Sequence, residues 1–283
     1  MTTTTSWQDL LRPGDATDFF ARAALPPFDP MAVGFNAGNA LWLAELSRLV
    51  YRRDVEENDP PPQPRRAKFL ASVSLRQRAF FRSALTETQA IIVESDSPRF
   101  AVLVFRGTEQ RPQDFVTDLR VAGKRLLDDG PRVHAGFEAA LDSVWSAIDR
   151  ELSRITCPIY FTGHSLGAAL ATIAATRRAP WAVYTFGSPL VGNTAFVVSL
   201  SAVPVYRVVD DLDAVTAVPP EALGFRHVGE LRRLREPRVT STAGMSGWLR
   251  RFFGPPKNLA DHAPINYVDR IAAVVPMEET VAV

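Results

Sequence analysis

The sequence of 283 residues holds a single cysteine, Cys157. An internal disulfide is therefore excluded, and with it the bridge framework that staples many small secreted folds. Only four histidines are spread along the chain, so a zinc-finger ligand set at short spacing is excluded as well. Charge of one sign is also lacking. Lys and Arg total 32 against 31 Asp and Glu, for a net charge of +1, and no overall field draws the chain to nucleic acid. No apolar run is long enough to span a bilayer. The opening stretch, MTTTTSWQDLLRPGD, has neither the basic nor the apolar segment of a secretory leader. The expectation from these absences is a cytoplasmic protein, with peripheral membrane contact or secretion of a trimmed form left open.

What is present is ordinary globular composition, 46% hydrophobic and 22% charged. No internal repeat and no composition boundary divides the chain, so residues 1–283 are expected to form one α/β domain with an N-terminal surface arm over about residues 1–30. Residues 37–53, AGNALWLAELSRLVYRR, have helical apolar spacing, with Asn39 as a candidate cap. The stretch ENDPPPQPRR (57–66) reads as a loop. Residues 67–82 read as helix followed by strand. QAIIVES (89–95) and RFAVLVFRG (99–107) are two β-rich runs joined by a turn. Residues 133–152 begin as loop and become an amphipathic helix. Two further strands, WAVYTFGSP and VPVYRVVDDLDAV, each end in a turn with a polar residue. FRHVGELRRLRE reads as another strand, and a last helix follows DHAP. Strands alternating with helices imply a mainly parallel sheet.

The chemistry is concentrated in Gly163-His164-Ser165-Leu166-Gly167, which fits G-x-S-x-G between the buried run PIYFT and an Ala-rich helix. A serine on a tight strand-to-helix turn needs small neighbours, because the backbones cross closely there. The helix that follows offers free N–H groups to a developing oxyanion. A nucleophilic serine needs a base and an acid that orients it, and in this order of elements both follow the serine. His227 and His262 are the downstream histidines. His227 lies in an apparent strand, whereas His262 lies in a loop from which a ring can reach the end of the sheet, so His262 is favoured. His164 is expected to point away from the serine, and His134 precedes it. Asp210, Asp211 and Asp213 are all candidates for the acid, since each follows a strand at the edge where α/β sites form; composition does not choose among them.

Assembled in order, VLVFRGT, VHAGF, TGHSLGAALA, TFGSPLVGN, YRVVDDLDAVTAVPP and DHAPINYV resemble the motifs of the class 3 lipases, the family of the filamentous-fungal triacylglycerol lipases. The resemblance covers roughly residues 37–275. It implies the α/β-hydrolase fold, with a central, mostly parallel sheet flanked by helices. It implies Ser165 as nucleophile, Asp213 as acid and His262 as base, with Thr108 and Leu166 as the oxyanion hole. It leaves His227 outside catalysis, makes His134 a structural hydrogen-bonder, and suggests that Asp118 bonds the oxyanion loop. The activity it implies is a carboxylic ester hydrolase acting on acylglycerols or related lipid esters, with no metal or cofactor. Phospholipase A1 or galactolipase activity is the alternative. A non-catalytic scaffold of the same fold is disfavoured, because all four key residues are present.

The sequence departs from the family in two places. The segment after Thr108, EQRPQDFVTDLRVAG, occupies the position of the family's lid. It is polar at first, Pro112 is expected to shorten any helix, and only Phe115, Val116 and Leu119 make an apolar side. Weak interfacial activation is therefore expected. Residues 226–257 carry eight Lys and Arg against two Glu and include GWLRRFFGPPK. That composition suits either a solvated strand and covering loop or transient contact with an anionic lipid surface through Arg250 and Arg251. Leu190, Val191, Val215 and Phe253 are guesses for the acyl pocket. Oligomeric state is not legible.

Overall fold

The computed structural model describes residues 5–57, 60–108, 112–122, 125–126, 130–235 and 254–275. Its centre is a sheet built of β1 (Leu75–Arg82), β2 (Gln89–Asp96), β3 (Arg99–Phe105), β4 (Ile159–His164), β5 (Ala182–Phe186), β6 (Val205–Asp210) and β7 (Glu230–Leu234). The spatial order follows the sequence order. β1, β2 and β3 pair antiparallel, and β3 through β7 pair parallel. The two β-rich runs become β2 and β3, whose residues are almost all buried. Such runs do not alternate in polarity because both faces of the sheet are covered.

Helices α2 (Ala37–Leu49), α5 (Ala135–Leu152) and α6 (Leu166–Arg177) supply most of that cover. The pleat sorts the core into two layers. Val102 and Val104 of β3 face a cluster with Leu41 and Leu46 of α2 and Val268 of the last helix, Pro264–Ala272. Leu103 and Phe105 face the other cluster, with Leu141 of α5 and Leu170 of α6. The parallel strands β3 through β7 all end at the same sheet edge, where β4 meets α6 and β6 meets its acidic turn.

Three expectations change. Residues 5–30 are not simply a surface arm, because Phe19, Phe20 and Phe28 are buried in the core. Arg22 ties the same stretch to Asp18 and Asp269. The cap of α2 is Asn36, whose side chain accepts from the Asn39 N–H. Asn39 lies inside the helix, where its amide donates to the Asp29 carbonyl. His227 lies before β7, which begins at Glu230.

Candidate active site

Ser165 joins β4 to α6 with φ 58 and ψ −126. A non-glycine residue in that region is strained, and the surrounding backbone must hold it there. The flanking glycines show how. A Cβ on Gly163 would overlap the backbone of Gly167, and a Cβ on Gly167 would overlap the Phe105 carbonyl of β3. The turn closes only because both side chains are missing. Leu166 is the first residue of α6, so its N–H has no acceptor within the helix.

The acidic turn after β6 separates its three candidates by partner. Asp210 is buried and ion-paired with Arg270 of the last helix. Asp211 pairs with Lys257 at 2.9 Å. Asp213 is the carboxylate that meets His262. The His262 Nδ1–H donates to Asp213 Oδ2 at 2.8 Å, with Oδ1 at 3.0 Å. The Tyr267 hydroxyl donates to Oδ2 at 2.6 Å, and the Val215 N–H donates to Oδ1 at 2.9 Å. Burial acts to raise the Asp213 pKa, but His262 and the bonds from His262 and Tyr267 outweigh it and hold the carboxyl below its ordinary range. Burial, with Asp213 as neighbour, raises the Tyr267 phenol well above its usual value, so it stays a donor.

The loop that carries His262 is clamped to the acidic turn. Asp261 accepts from the Leu212 N–H at 3.2 Å, from Lys257 at 2.9 Å and from Arg270 at 2.9 Å. Gly187, at the end of β5, passes close beside the pair, and a Cβ there would lie 2.8 Å from Asp213 Oδ2 and 3.0 Å from His262 Nδ1.

Ser165, His262 and Thr108 line one cavity, closed over by Leu10, Leu11, Pro13 and Phe115. The space left is about 10 Å³, less than an ester group occupies. Phe115 belongs to α4 (Pro112–Ala122), in which Phe115, Val116 and Leu119 are buried. Pro112 marks the first residue of α4 rather than cutting it short, as suits a residue whose φ is already helical. Among the described residues Ser165 and His262 are not hydrogen-bonded to each other; such contacts commonly tighten only when substrate binds.

Several further expectations meet the structure here. Asp118 is exposed on α4 and makes no hydrogen bond among the described residues, Thr108 included. His134 is the N-cap of α5, accepting from the Gly136 N–H at 3.2 Å. Burial and the neighbouring Arg207 lower His227 to about 4, and it does not line the cavity. Leu190, Val191 and Val215 are buried but do not line it either. Phe253, Arg250 and Arg251 lie outside the described residues, as does most of the basic segment. Tyr51, Asp261, Tyr267 and Arg270 were not anticipated in their roles. The DHAPINY stretch held a signal for Asp261 and Tyr267, but nothing near Tyr51 pointed to the site.

A seven-stranded sheet, a serine on a strained strand–helix turn and a buried Asp–His pair at the same sheet edge define a protein of the α/β-hydrolase fold. Residues 102–223 match the family model described as lipase (class 3). It is 32% identical over 166 residues to a lipase of Rhizopus niveus, covering 53% of this chain and 42% of that protein. It is 33% identical over 147 residues to secreted mono- and diacylglycerol lipase 1 of Fusarium solani, covering 48% of this chain and 44% of that protein. The chain thus spans less than half the length of these curated relatives. The solved structure of lipase II from Rhizopus niveus matches with a TM-score of 0.59 at 26% identity, over 70% of this chain and 80% of that one.

The relatives correct one expectation. A cytoplasmic location does not stand, because the similarity is to secreted lipases such as the Fusarium solani protein and points to secretion. The expectation rested on features missing from the first residues, and an absence there carries no information about compartment.

Proposed function

We propose that this chain is a serine carboxylic-ester hydrolase acting on acylglycerols or related lipid esters through an acyl-enzyme on Ser165. The observation that carries the reading is the Asp213–His262 pair, formed across 49 residues of sequence and sharing a cavity with a serine held at positive φ. His262 Nε2 takes the Ser165 proton while Nδ1–H stays on Asp213. Ser165 Oγ attacks the ester carbonyl. The oxyanion takes the free N–H of Leu166 and the N–H of Thr108. The imidazolium gives its proton to the departing alcohol, leaving the acyl group on Ser165. A water deprotonated by His262 then attacks the acyl carbon, and His262 returns that proton to Ser165 Oγ as the Oγ–acyl bond breaks and the acid leaves. Asp213, held below the usual carboxylate range, stays ionised and stabilises the imidazolium. The apolar cover of Leu10, Leu11, Pro13 and Phe115 supports a lipid rather than a hydrophilic ester.

The test compares the wild type with Ser165→Ala on p-nitrophenyl butyrate, mono-, di- and triacylglycerols, and phosphatidylcholine. The expected result is glyceride hydrolysis that falls by at least about 10³-fold in Ser165→Ala. Equal rates in both proteins would make the chain a catalytically silent scaffold. A preference for phosphatidylcholine over every glyceride would replace the acylglycerol reading with the phospholipase A1 type.

A further inference from the structure

His164, beside the nucleophile, is buried, and both of its ring nitrogens are engaged. Its Nε2 lies 2.7 Å from the backbone carbonyl of His262. A carbonyl oxygen only accepts, so Nε2 carries the proton. Its Nδ1 lies 3.1 Å from the Tyr51 hydroxyl. On a neutral ring that nitrogen is an acceptor, so Tyr51 donates. We propose that Tyr51 and His164 act as positioning residues that fix the distance between nucleophile and base, with Tyr51 selecting the His164 tautomer that holds the His262 backbone. This rests on the ester-hydrolase reading above.

Three observations support a positioning role over simple packing. First, the contacts join separate elements. Ser165 and His164 belong to the β4–α6 junction, His262 to a loop after the short helix Lys257–Ala260, and Tyr51 to the end of α2. The Asp213 bond orients the His262 ring but does not set its distance from Ser165. The His164 bond ties the base's own backbone to the residue beside the nucleophile.

Second, Tyr51 reaches the oxyanion loop as well. Its hydroxyl sits where a Cβ on Gly107 would be, and the next residue is Thr108. One side chain therefore seats the loop that binds the oxyanion and, through His164, the base.

Third, the electrostatics keep His164 neutral. Burial, and then the neighbouring His262, lower it to about 3. The groups facing it are Tyr51 just after α2, His262 and Asp213 from the site loops, and Tyr267 from the last helix, whose ring centroid is 5.8 Å away. The His164 and His262 ring centroids are 4.5 Å apart. A charged His164 would oppose the imidazolium formed on His262 during turnover. A neutral donor holds the loop without that penalty.

The test uses four variants and three readouts: kcat, KM, and the rate at which a fluorophosphonate labels Ser165. Gln places an amide donor near the Nε2 position, whereas Asn reaches only as far as Nδ1. His164→Asn is expected to lower kcat and the labelling rate about 100-fold with KM little changed, the scale of a misplacement of about 1 Å. His164→Gln is expected to recover most of that loss. Tyr51→Phe keeps the ring and removes the donor, and a loss of about 10-fold in kcat is expected. Asn and Gln variants equal to each other, or Tyr51→Phe equal to wild type in both kcat and labelling, would overturn the proposal. If His164→Asn does not fold, by thermal melting, the Tyr51→Phe result decides alone. The fourth variant, Ser165→Ala, separates the two readings. If the wild type hydrolyses no ester faster than Ser165→Ala, the hydrolase reading itself has failed. An active wild type with unaffected His164 and Tyr51 variants sinks only the positioning role.

Discussion

The Tyr267 hydroxyl donates to Asp213 Oδ2 at 2.6 Å, the same oxygen that receives the His262 Nδ1–H at 2.8 Å. One carboxylate oxygen thus holds both the His262 ring and a phenol from the last helix. Tyr267→Phe removes a buried hydrogen bond to a charged group, worth about 1.5–3 kcal/mol. A fall in kcat/KM of roughly tenfold is expected, with a lower melting temperature. The pH dependence has a definite sign. Asp213 is depressed when folded, so its contribution to stability is present above the unfolded pKa and is lost as pH falls through the folded value. Loss of the Tyr267 donor raises the folded value, so the acid-side loss of stability in Tyr267→Phe should start at a higher pH. Acid melting of both proteins checks this.

The three acids of the turn after β6 should respond differently to the same change. Asp213→Asn is expected to reduce kcat by about 10⁴, since the wrong imidazole tautomer is then favoured. Asp210→Asn leaves the Arg270 guanidinium with half its partners, and breaking such a buried pair costs about 3–5 kcal/mol. Asp211→Asn removes a part-exposed pair with Lys257 and should cost no more than about 1 kcal/mol. Parallel melting curves and ester assays on the three variants separate a catalytic acid from a structural one. Similar losses of kcat in all three would remove the assignment of Asp213.

Glu45 on α2 is buried and raised to about 7, first by burial, against the opposing pull of Arg48. It accepts from the Phe20 N–H at 3.1 Å, so it anchors the N-terminal stretch. Its folded value lies above its unfolded one. Its contribution to stability is therefore fully present below the unfolded pKa and is lost as pH rises through about 7. Glu45→Gln keeps the acceptor and removes the charge. Relative to this variant, the wild type should lose on the order of 1–3 kcal/mol between pH 5 and pH 8. Melting temperatures of both proteins at the two pH values decide the matter, and parallel curves would show that Glu45 does not titrate there.

Access to Ser165 is closed on two sides, by Phe115 of α4 and by Leu10, Leu11 and Pro13. The N-terminal side is held by contacts with the last helix and the short helix before it. Leu10 belongs to a small cluster with Leu259, Ala263 and Ile265, and Thr5 Oγ1 bonds Asn266 at 3.0 Å. Removing residues 1–12 is expected to raise turnover of long-chain esters more than that of acetate, measured on a chain-length series. Unchanged ratios would place entry on the α4 side, which Phe115→Ala would then accelerate. With Phe115, Val116 and Leu119 as the buried apolar residues among the described side chains of α4, the rate on tributyrin should rise little at its solubility limit; a steep jump there would overturn that expectation.

The sequence by itself determined the parts whose physics is local. A glycine on either side of Ser165 is required because two backbones touch there, and the strand before it and the Ala-rich helix after it can be read from a few residues. The apolar runs of β2 and β3 declared a sheet covered on both faces. The sequence also supplied the cast of acids and histidines, though the residues alone left Asp210, Asp211 and Asp213 equivalent and only the family motif separated them. Tertiary structure distributed those acids, since Arg270, Lys257 and His262 lie far along the chain and each reaches a different carboxylate. It brought Tyr51 from the end of α2 to His164 and Gly107, and it folded the N-terminal stretch over Ser165. Contacts of that kind depend on how helices pack across the sheet, and no spacing along the chain encodes which buried hydroxyl will face which ring.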